Sequence, residues 1–269
     1  MTASGDLARL RDVASRHPWV RGVVVLDATS STNDALRRLA AEGAPEGTAV
    51  VADAQTAGRG RRGRAWHSPP GLGLHLSVLF RPRRPPHEIP RWTIGAAVAA
   101  CAACRACGAD AVTIKWPNDL VAGSRKVGGI LAELRSVSAD RHELVVGIGL
   151  NVLHRPSDFP EDLGRRACSL LDLVPDPPPD RAALAELVLA GLATVASSLA
   201  DGRWDDVASR WLAFAPEATG RRVRLARPDG TWAAGHTRGI DALGALRVAI
   251  EDGSVVLATH GDVIEREEG

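Results

Sequence analysis

Between Gln55 and Trp66 the chain sets four arginines among three glycines, Gly58-Arg59-Gly60-Arg61-Arg62-Gly63-Arg64, and Trp66 follows two residues on. Glycines let backbone N–H groups approach an anion, and arginine forks clamp phosphate or carboxylate oxygens in pairs. A tryptophan beside them offers a flat face to a heterocycle. Three readings fit: an anion cradle, an arginine-rich nucleic-acid segment, and a solvated basic loop. As a cradle, its four like charges repel until an anion neutralises them, so the loop is expected to order on ligand binding. Gly58, Gly60 and Gly63 satisfy G-x-G-x-x-G in letter only. The dinucleotide fingerprint passes straight from strand to helix, whereas Trp66-His67-Ser68-Pro69-Pro70 cannot open one. There is no Walker A sequence either.

A second cluster lies downstream. Of 33 basic side chains only Lys115 and Lys126 are lysine. Lysine is a compact point charge on a flexible stem where arginine is a rigid fork, so these two positions point to a need for the former. Between them, Trp116-Pro117-Asn118-Asp119 ends a strand; an aspartate there can hold a metal–phosphate group and an asparagine can bond a nucleotide. Lys126 falls on the return strand of a hairpin, with Gly128 and Gly129 expected to leave open space beside it. Asn151 closes Gly147-Ile148-Gly149-Leu150-Asn151. Cradle, lysine, aspartate and aromatic shelf together suit nucleotidyl transfer to a carboxylate. In that reaction the substrate carboxylate attacks the α-phosphorus, and the protein positions groups and stabilises charge.

The elements that must hold these residues read as α+β. A short helix is expected over 7–16, a buried strand over Val23–Asp27, and an amphipathic helix entered through Thr29–Asp34, whose hydroxyls offer N-caps. Strands follow at Thr48–Ala52 and Leu72–Phe80, with the arginine–glycine loop between them and a long helix near 91–107. Three more strands are expected at Val112–Lys115, Val127–Leu134 and Glu143–Asn151. Several strands adjoin through short loops, which favours a mixed or antiparallel sheet over a doubly wound one. After an irregular 155–180, helices near 181–200 and 204–214 precede short β runs with turns at Asp229-Gly230, Leu243-Gly244 and Asp252-Gly253, a small barrel. The division is a main domain over 1–216 and a C-terminal one over 217–269.

At 269 residues and 45% hydrophobic the chain can build one large core or a core plus a satellite, and a net charge of +1 gives no global polyanion-binding signature. No run is expected to reach the ~20 apolar residues that span a bilayer, and the first residues lack the apolar stretch of a signal peptide. A cytoplasmic location is the resulting expectation, with no membrane partner. Cys101, Cys104 and Cys107 have C-x2-C-x2-C spacing but sit in an alanine-rich helical run. There, steps of three slip about 60° round the axis and the outer thiolates diverge. They read as small buried thiols. The eight histidines show no metal spacing, and His67 and His75 read as solvated loop and strand residues.

Five motifs, Gly-Arg-Gly-Arg-Arg-Gly-Arg64-x-Trp66, Lys115-Trp-Pro-Asn118-Asp119, Arg125-Lys126-Val-Gly128-Gly129-Ile-Leu-x-Glu133, Ser31-Thr32-Asn33 and Gly-x-Gly-Leu-Asn151, occur together. In this the chain resembles the biotin–protein ligases, closely over residues 25–153. The resemblance implies a class II aminoacyl-tRNA-synthetase-like catalytic domain and a small SH3-like C-terminal barrel. Carried over residue by residue, it implies that Ser31, Thr32, Asn33 and Gln55 bind biotin's ureido ring. Gly58, Arg59, Gly60 and Arg61 fold over biotin and its adenylate, with Gly128 and Gly129 beside them. Trp66 packs on adenine, with Arg61, Arg64, Asn118, Asp119 and Asn151 around ATP. Magnesium accompanies ATP at Asp119, and Lys115 faces the phosphates or supports its strand. Lys126 bridges biotin's carboxylate and the α-phosphate, so Lys126 and Arg61 are the implied catalytic pair. The implied reaction forms biotinyl-5′-adenylate, then biotinylates a lysine on a carboxylase's carrier domain. Some members carry an N-terminal winged helix and act as repressors. Ser31-Thr32-Asn33 begins at residue 31 here, which is expected to leave no room for one and to exclude operator binding. A monomer or weak homodimer is expected. Lipoate–protein ligases, of the same superfamily, and a non-enzymatic nucleic-acid-binding module are the alternatives. The salt dependence of binding separates the second.

Overall fold

The computed structural model describes residues 3–83, 86–138, 141–175, 177, 180–226, 231–259 and 263–265. The chain begins with α1 (Ala3–Arg16), β1 (Gly22–Thr29), α2 (Thr32–Ala41), β2 (Thr48–Gln55), β3 (Gly73–Phe80) and α3 (Ile89–Ala106). It continues through β4 (Val112–Lys115), β5 (Asp119–Ala122), β6 (Arg125–Ser138), β7 (Arg141–Asn151), the short α4 (Glu161–Gly164), α5 (Arg181–Ala200) and α6 (Trp204–Phe214). Last come β8 (Thr219–Ala226), β9 (Trp232–Ile240), β10 (Leu246–Ile250), β11 (Val255–Ala258) and β12 (Val263–Glu265). The first seven strands form one sheet in the order β1-β2-β3-β7-β6-β5-β4. Only β1–β2 is parallel; the other pairs are antiparallel, giving the mixed α+β sheet expected.

Position in the sheet decides burial. All eight residues of β3, between β2 and β7, are buried on both faces, so its apolar–polar alternation marks two covered sides rather than one wet one. β1 lies at the edge with one neighbour and is only half-buried, which corrects the expected buried strand. One face of the sheet packs on α3, α5 and α6 around Leu74, Leu76, Val78, Phe80 and Trp211. On the other face α2 covers only one end, through Leu36, Val50, Leu79 and Val145. The rest of that face carries no helix; Asn33 and Trp66 lie over the strands there, and the trough they line is the groove.

Asp180 caps α5, its carboxylate accepting from Ala182 N at 2.9 Å and Ala183 N at 3.5 Å. α5 also corrects an expectation: Arg181–Ala200 is long and apolar enough to cross a membrane by composition. In this fold those apolar side chains pack against the neighbouring core. A Cβ added at Gly191 would come within 2.8 Å of Ala99 Cβ, so the missing side chain lets α5 lie close on α3. Cys101 and Cys104 are buried in α3, and burial pushes the Cys101 thiol up to about 12. At the start of α2, Ser31 makes no side-chain cap bond, contrary to expectation; the hydroxyl beside it, on Thr32, faces Gln55 instead.

The C-terminal strands form a separate five-stranded antiparallel sheet, order β11-β10-β9-β8-β12, over Val223, Leu225, Leu246, Val248 and Ile250. The expected Asp229-Gly230 turn lies outside the described residues. Trp116 joins the two parts: it packs against both cores and donates from Nε1 to Gly244 O at 3.0 Å.

Candidate active site

The groove is paved by the strand register. His75 of β3, Gly149 of β7, Gly129 of β6 and Asp119 of β5 stand in one row across four strands. Ser77, Gly147 and Leu131 form the next row. Paired residues in a ladder share a face, so Gly129 and Gly149 in the first row and Gly147 in the second leave a floor without side chains. Other residues occupy that space. A Cβ on Gly147 would lie 2.2 Å from Asn33 Oδ1, and one on Gly149 would lie 2.7 Å from Trp66 Nε1.

One end of the groove is a hydrogen-bond network. Thr32 N donates to Gln55 Oε1 at 2.9 Å, and Gln55 Nε2 donates to Ser68 Oγ at 3.0 Å. Ser77 Oγ lies 2.7 Å from Thr32 Oγ1 and donates to Asn33 Oδ1 at 2.6 Å. Asn33 Nδ2 donates to Glu133 Oε2 at 2.7 Å and to Leu131 O at 3.3 Å. Ser31, Thr32 and Asn33 are all buried. Ser77, Ser68, Glu133 and Gly147 were given no role from the sequence, because each joins this end only through a distant strand or loop. Two of them carry a local signal: Glu133, seven residues past Lys126 on one strand, and Gly147, in the run that ends at Asn151.

At the other end Lys126 Nζ pairs with Asp119 Oδ1 at 2.6 Å and lies 5.6 Å from the centre of the Trp66 ring. Gly129 flanks the ammonium: a Cβ there would be 3.4 Å from Nζ. Gly128 does not leave open space as expected, since its Cβ would meet Leu150 Cδ2 at 2.4 Å and Gly149 O at 2.8 Å. The Lys126 backbone is clipped to a neighbouring segment: its N–H donates to Arg166 O at 2.7 Å, and Cys168 N donates to its carbonyl at 2.9 Å. Asn151 braces the clip, Nδ2 donating to Cys168 O at 3.0 Å and Lys126 O at 3.4 Å. That leaves Oδ1 as the half of the amide available to a ligand. Lys115 pairs in register with Asp119 at the outer rim, where it lines a cavity shared with Trp116, Glu217, Arg221 and Thr237 beside the C-terminal sheet.

The arginine–glycine loop crosses the groove mouth and is pinned by a bridge between Arg59 and Ala65. Its charges do not all face one another unrelieved: Arg59 grips Asp34 through both Nη atoms at 2.5 and 2.7 Å. Hydrogen bonding from Arg59 holds the Asp34 carboxyl below its ordinary value. Arg61 Nη1 donates to the buried Asn118 Oδ1 at 3.1 Å, and burial with the nearby Arg62 draws its guanidinium down. Arg64 is exposed. Gly58 is packed too tightly for a side chain, its Cβ position lying 2.7 Å from Trp66 O. His75 is not solvated as expected but 1% exposed, and burial holds it down at about 3. His67 Nε2 lies 2.9 Å from Asp158 O.

Asp119 is a single carboxylate, and among the described residues no group of three or more His, Cys, Asp or Glu could cage a metal. That donor set fits a cation carried mainly by phosphate oxygens, as magnesium is at nucleotide sites.

The Biotin/lipoate A/B protein ligase family matches residues 25–151 of this chain. The biotin–[acetyl-CoA-carboxylase] ligase of Mycobacterium tuberculosis is 34% identical over 96% of this chain and 95% of its own length. The bifunctional ligase/repressor BirA of Bacillus subtilis is 43% identical over 54% of this chain, and the match spans 44% of that protein, under half its length. Among solved structures, the biotin protein ligase of Aquifex aeolicus in complex with biotin and ATP superposes with a TM-score of 0.73 at 28% identity, covering 88% of this chain and 96% of the other.

Proposed function

The chain belongs to the biotin/lipoate A/B protein ligase family, and from that membership we propose that it is an ATP-dependent biotin–protein ligase. The observation that carries the reading is one glycine-floored groove with a hydrogen-bonding network at one end and Lys126–Asp119 with Trp66 at the other. Thr32, Asn33 and Gln55 suit a ligand head rich in N–H and C=O groups. Lys126, Arg61 and Arg64 suit the charge where that ligand's carboxylate meets a phosphate.

In the first half-reaction a biotin carboxylate oxygen attacks the α-phosphorus of ATP. The new acyl–phosphate bond forms as the bond to pyrophosphate breaks. Lys126 offsets charge on the carboxylate and the α-phosphate, and the arginines hold the departing pyrophosphate. Magnesium brought with the triphosphate would find a hard oxygen donor in Asp119 and would supply charge neutralisation at the phosphates. In the second half-reaction the amine of an acceptor lysine attacks the acyl carbon. An amide forms, AMP leaves and the amine gives up a proton. The acceptor in this reading is the carrier domain of a biotin-dependent carboxylase. We read the main part as class II aminoacyl-tRNA-synthetase-like and the C-terminal sheet as an SH3-like barrel, a reading supported by its five antiparallel strands.

The test is biotin-dependent exchange of labelled pyrophosphate into ATP, with lipoate as the control acid. Exchange with biotin alone is expected; exchange with lipoate alone would move the chain to the sister activity, and exchange with neither would overturn adenylation.

A further inference from the structure

We propose that Glu133 is a positioning residue for biotin, setting the sense of the Asn33 amide. The proposal rests on the ligase reading. Glu133 Oε2 accepts from Asn33 Nδ2 at 2.7 Å. Its Oε1 faces Arg37 at 3.6 Å and Arg59 at 3.8 Å. One carboxylate therefore touches Asn33 of α2, which lies over the groove floor, and faces an arginine of the loop that crosses the mouth.

An amide can be turned over with little change in shape, exchanging its donor end for its acceptor end. Three partners decide the matter for Asn33. Leu131 O and Glu133 Oε2 are acceptors only, so they require Nδ2, while the Ser77 hydroxyl at 2.6 Å supplies a proton to Oδ1. Turned over, Oδ1 would face the Glu133 carboxylate and the Leu131 carbonyl. Of the three partners Glu133 alone carries charge, and hydrogen bonds to ionised groups are roughly twice as strong as neutral ones. Asn33 Oδ1 also occupies the space above Gly147, so a turned amide would present the wrong polarity to a ligand lying on the floor. The same carboxylate reinforces the Arg59–Asp34 pair, which joins the loop to the first turn of α2, where Thr32 and Asn33 sit. The Glu133 side chain, 26% exposed, lies where the long strand β6 has run past β5. Its loss there removes an interaction at the rim of the fold rather than in its core.

The experiment is steady-state pyrophosphate exchange with Glu133→Ala and Glu133→Gln, varying biotin and ATP separately. Glu133→Ala is expected to raise KM for biotin about tenfold while kcat and KM for ATP stay within about twofold. Glu133→Gln still offers Asn33 an acceptor but without the charge, and is expected to recover part of the loss. Should Glu133→Ala fail to fold, Glu133→Asp, one methylene short with its charge intact, is expected to raise KM for biotin on its own. An unchanged KM for biotin in an active protein would overturn the proposal and leave the ligase reading standing. So would KM for biotin and ATP rising together, or Gln no better than Ala. Absence of biotin-dependent exchange in the unaltered protein would overturn both.

Discussion

Lys126 is held for its shape as much as its charge. Asp119 meets its ammonium at 2.6 Å and Gly129 flanks it, a geometry matched to a point charge on a slim stem, whereas a planar fork would place its donors elsewhere. Lys126→Arg should therefore cut biotin-dependent pyrophosphate exchange at least about 100-fold despite keeping the positive charge; near-normal exchange would refute that role. Asp34 carries a pH dependence of its own. Arg59 holds its carboxyl below the ordinary value, so the link from loop to α2 is complete above that value and is lost as pH falls through the depressed one. Asp34→Asn should imitate that loss at pH 7, with faster tryptic cleavage at Arg61, Arg62 and Arg64; cleavage at the unaltered rate would exclude the anchor. Thr32, Asn33, Gln55, Lys126 and Asp119 were legible in the sequence because each sits in a short, ordered run. Ser77 and Glu133 were not, because their bonds to Asn33 cross 44 and 100 residues of chain. No local pattern encodes a contact that only the folded sheet creates.

At the scale of elements, helices α5 and α6 read cleanly from sequence, since Asp180 caps one and Asp201-Gly202 separates them. Strand β5 did not. Its four residues, Asp119–Ala122, follow directly on the Trp116-Pro117 bend and look like part of the turn they end. Yet β5 sets the register that brings Asp119 opposite Gly129, and so it supplies the lysine's partner. The floor itself depends on glycines that carry no chemistry. Gly149→Ala would push a methyl group to within 2.7 Å of Trp66 Nε1, so the indole must shift. KM for ATP should rise about tenfold with little change in Tm, measured by the same exchange assay and by thermal melting. Gly128→Ala should do the reverse. Its methyl meets the backbone carbonyl of Gly149 at 2.8 Å, which cannot yield as a side chain can. A loss of about 1–3 kcal/mol is expected in urea titration.

The whole molecule answers to acid through two buried histidines, His75 and His154. Burial holds His75 at about 3 and His154 at about 4, and among the described residues none of their four buried ring nitrogens has a hydrogen-bond partner. The unfolded chain takes up these protons below about 6.5, whereas the folded protein refuses them until far lower. Stability should therefore be full above pH 6.5 and drain as pH falls toward 4, at up to about 1.4 kcal/mol per pH unit for each group. His75→Leu should flatten that slope in urea titrations at pH 7 and 5; an unchanged slope would mean the imidazole is protonated when folded. The Trp66 indole resting on Gly149 has a thermal consequence as well. Much of the oily surface at that end of the groove is already dry before any guest arrives. Calorimetry across temperature should then find a smaller heat-capacity drop on nucleotide binding than the contact area alone would give, because the tryptophan has already displaced the water.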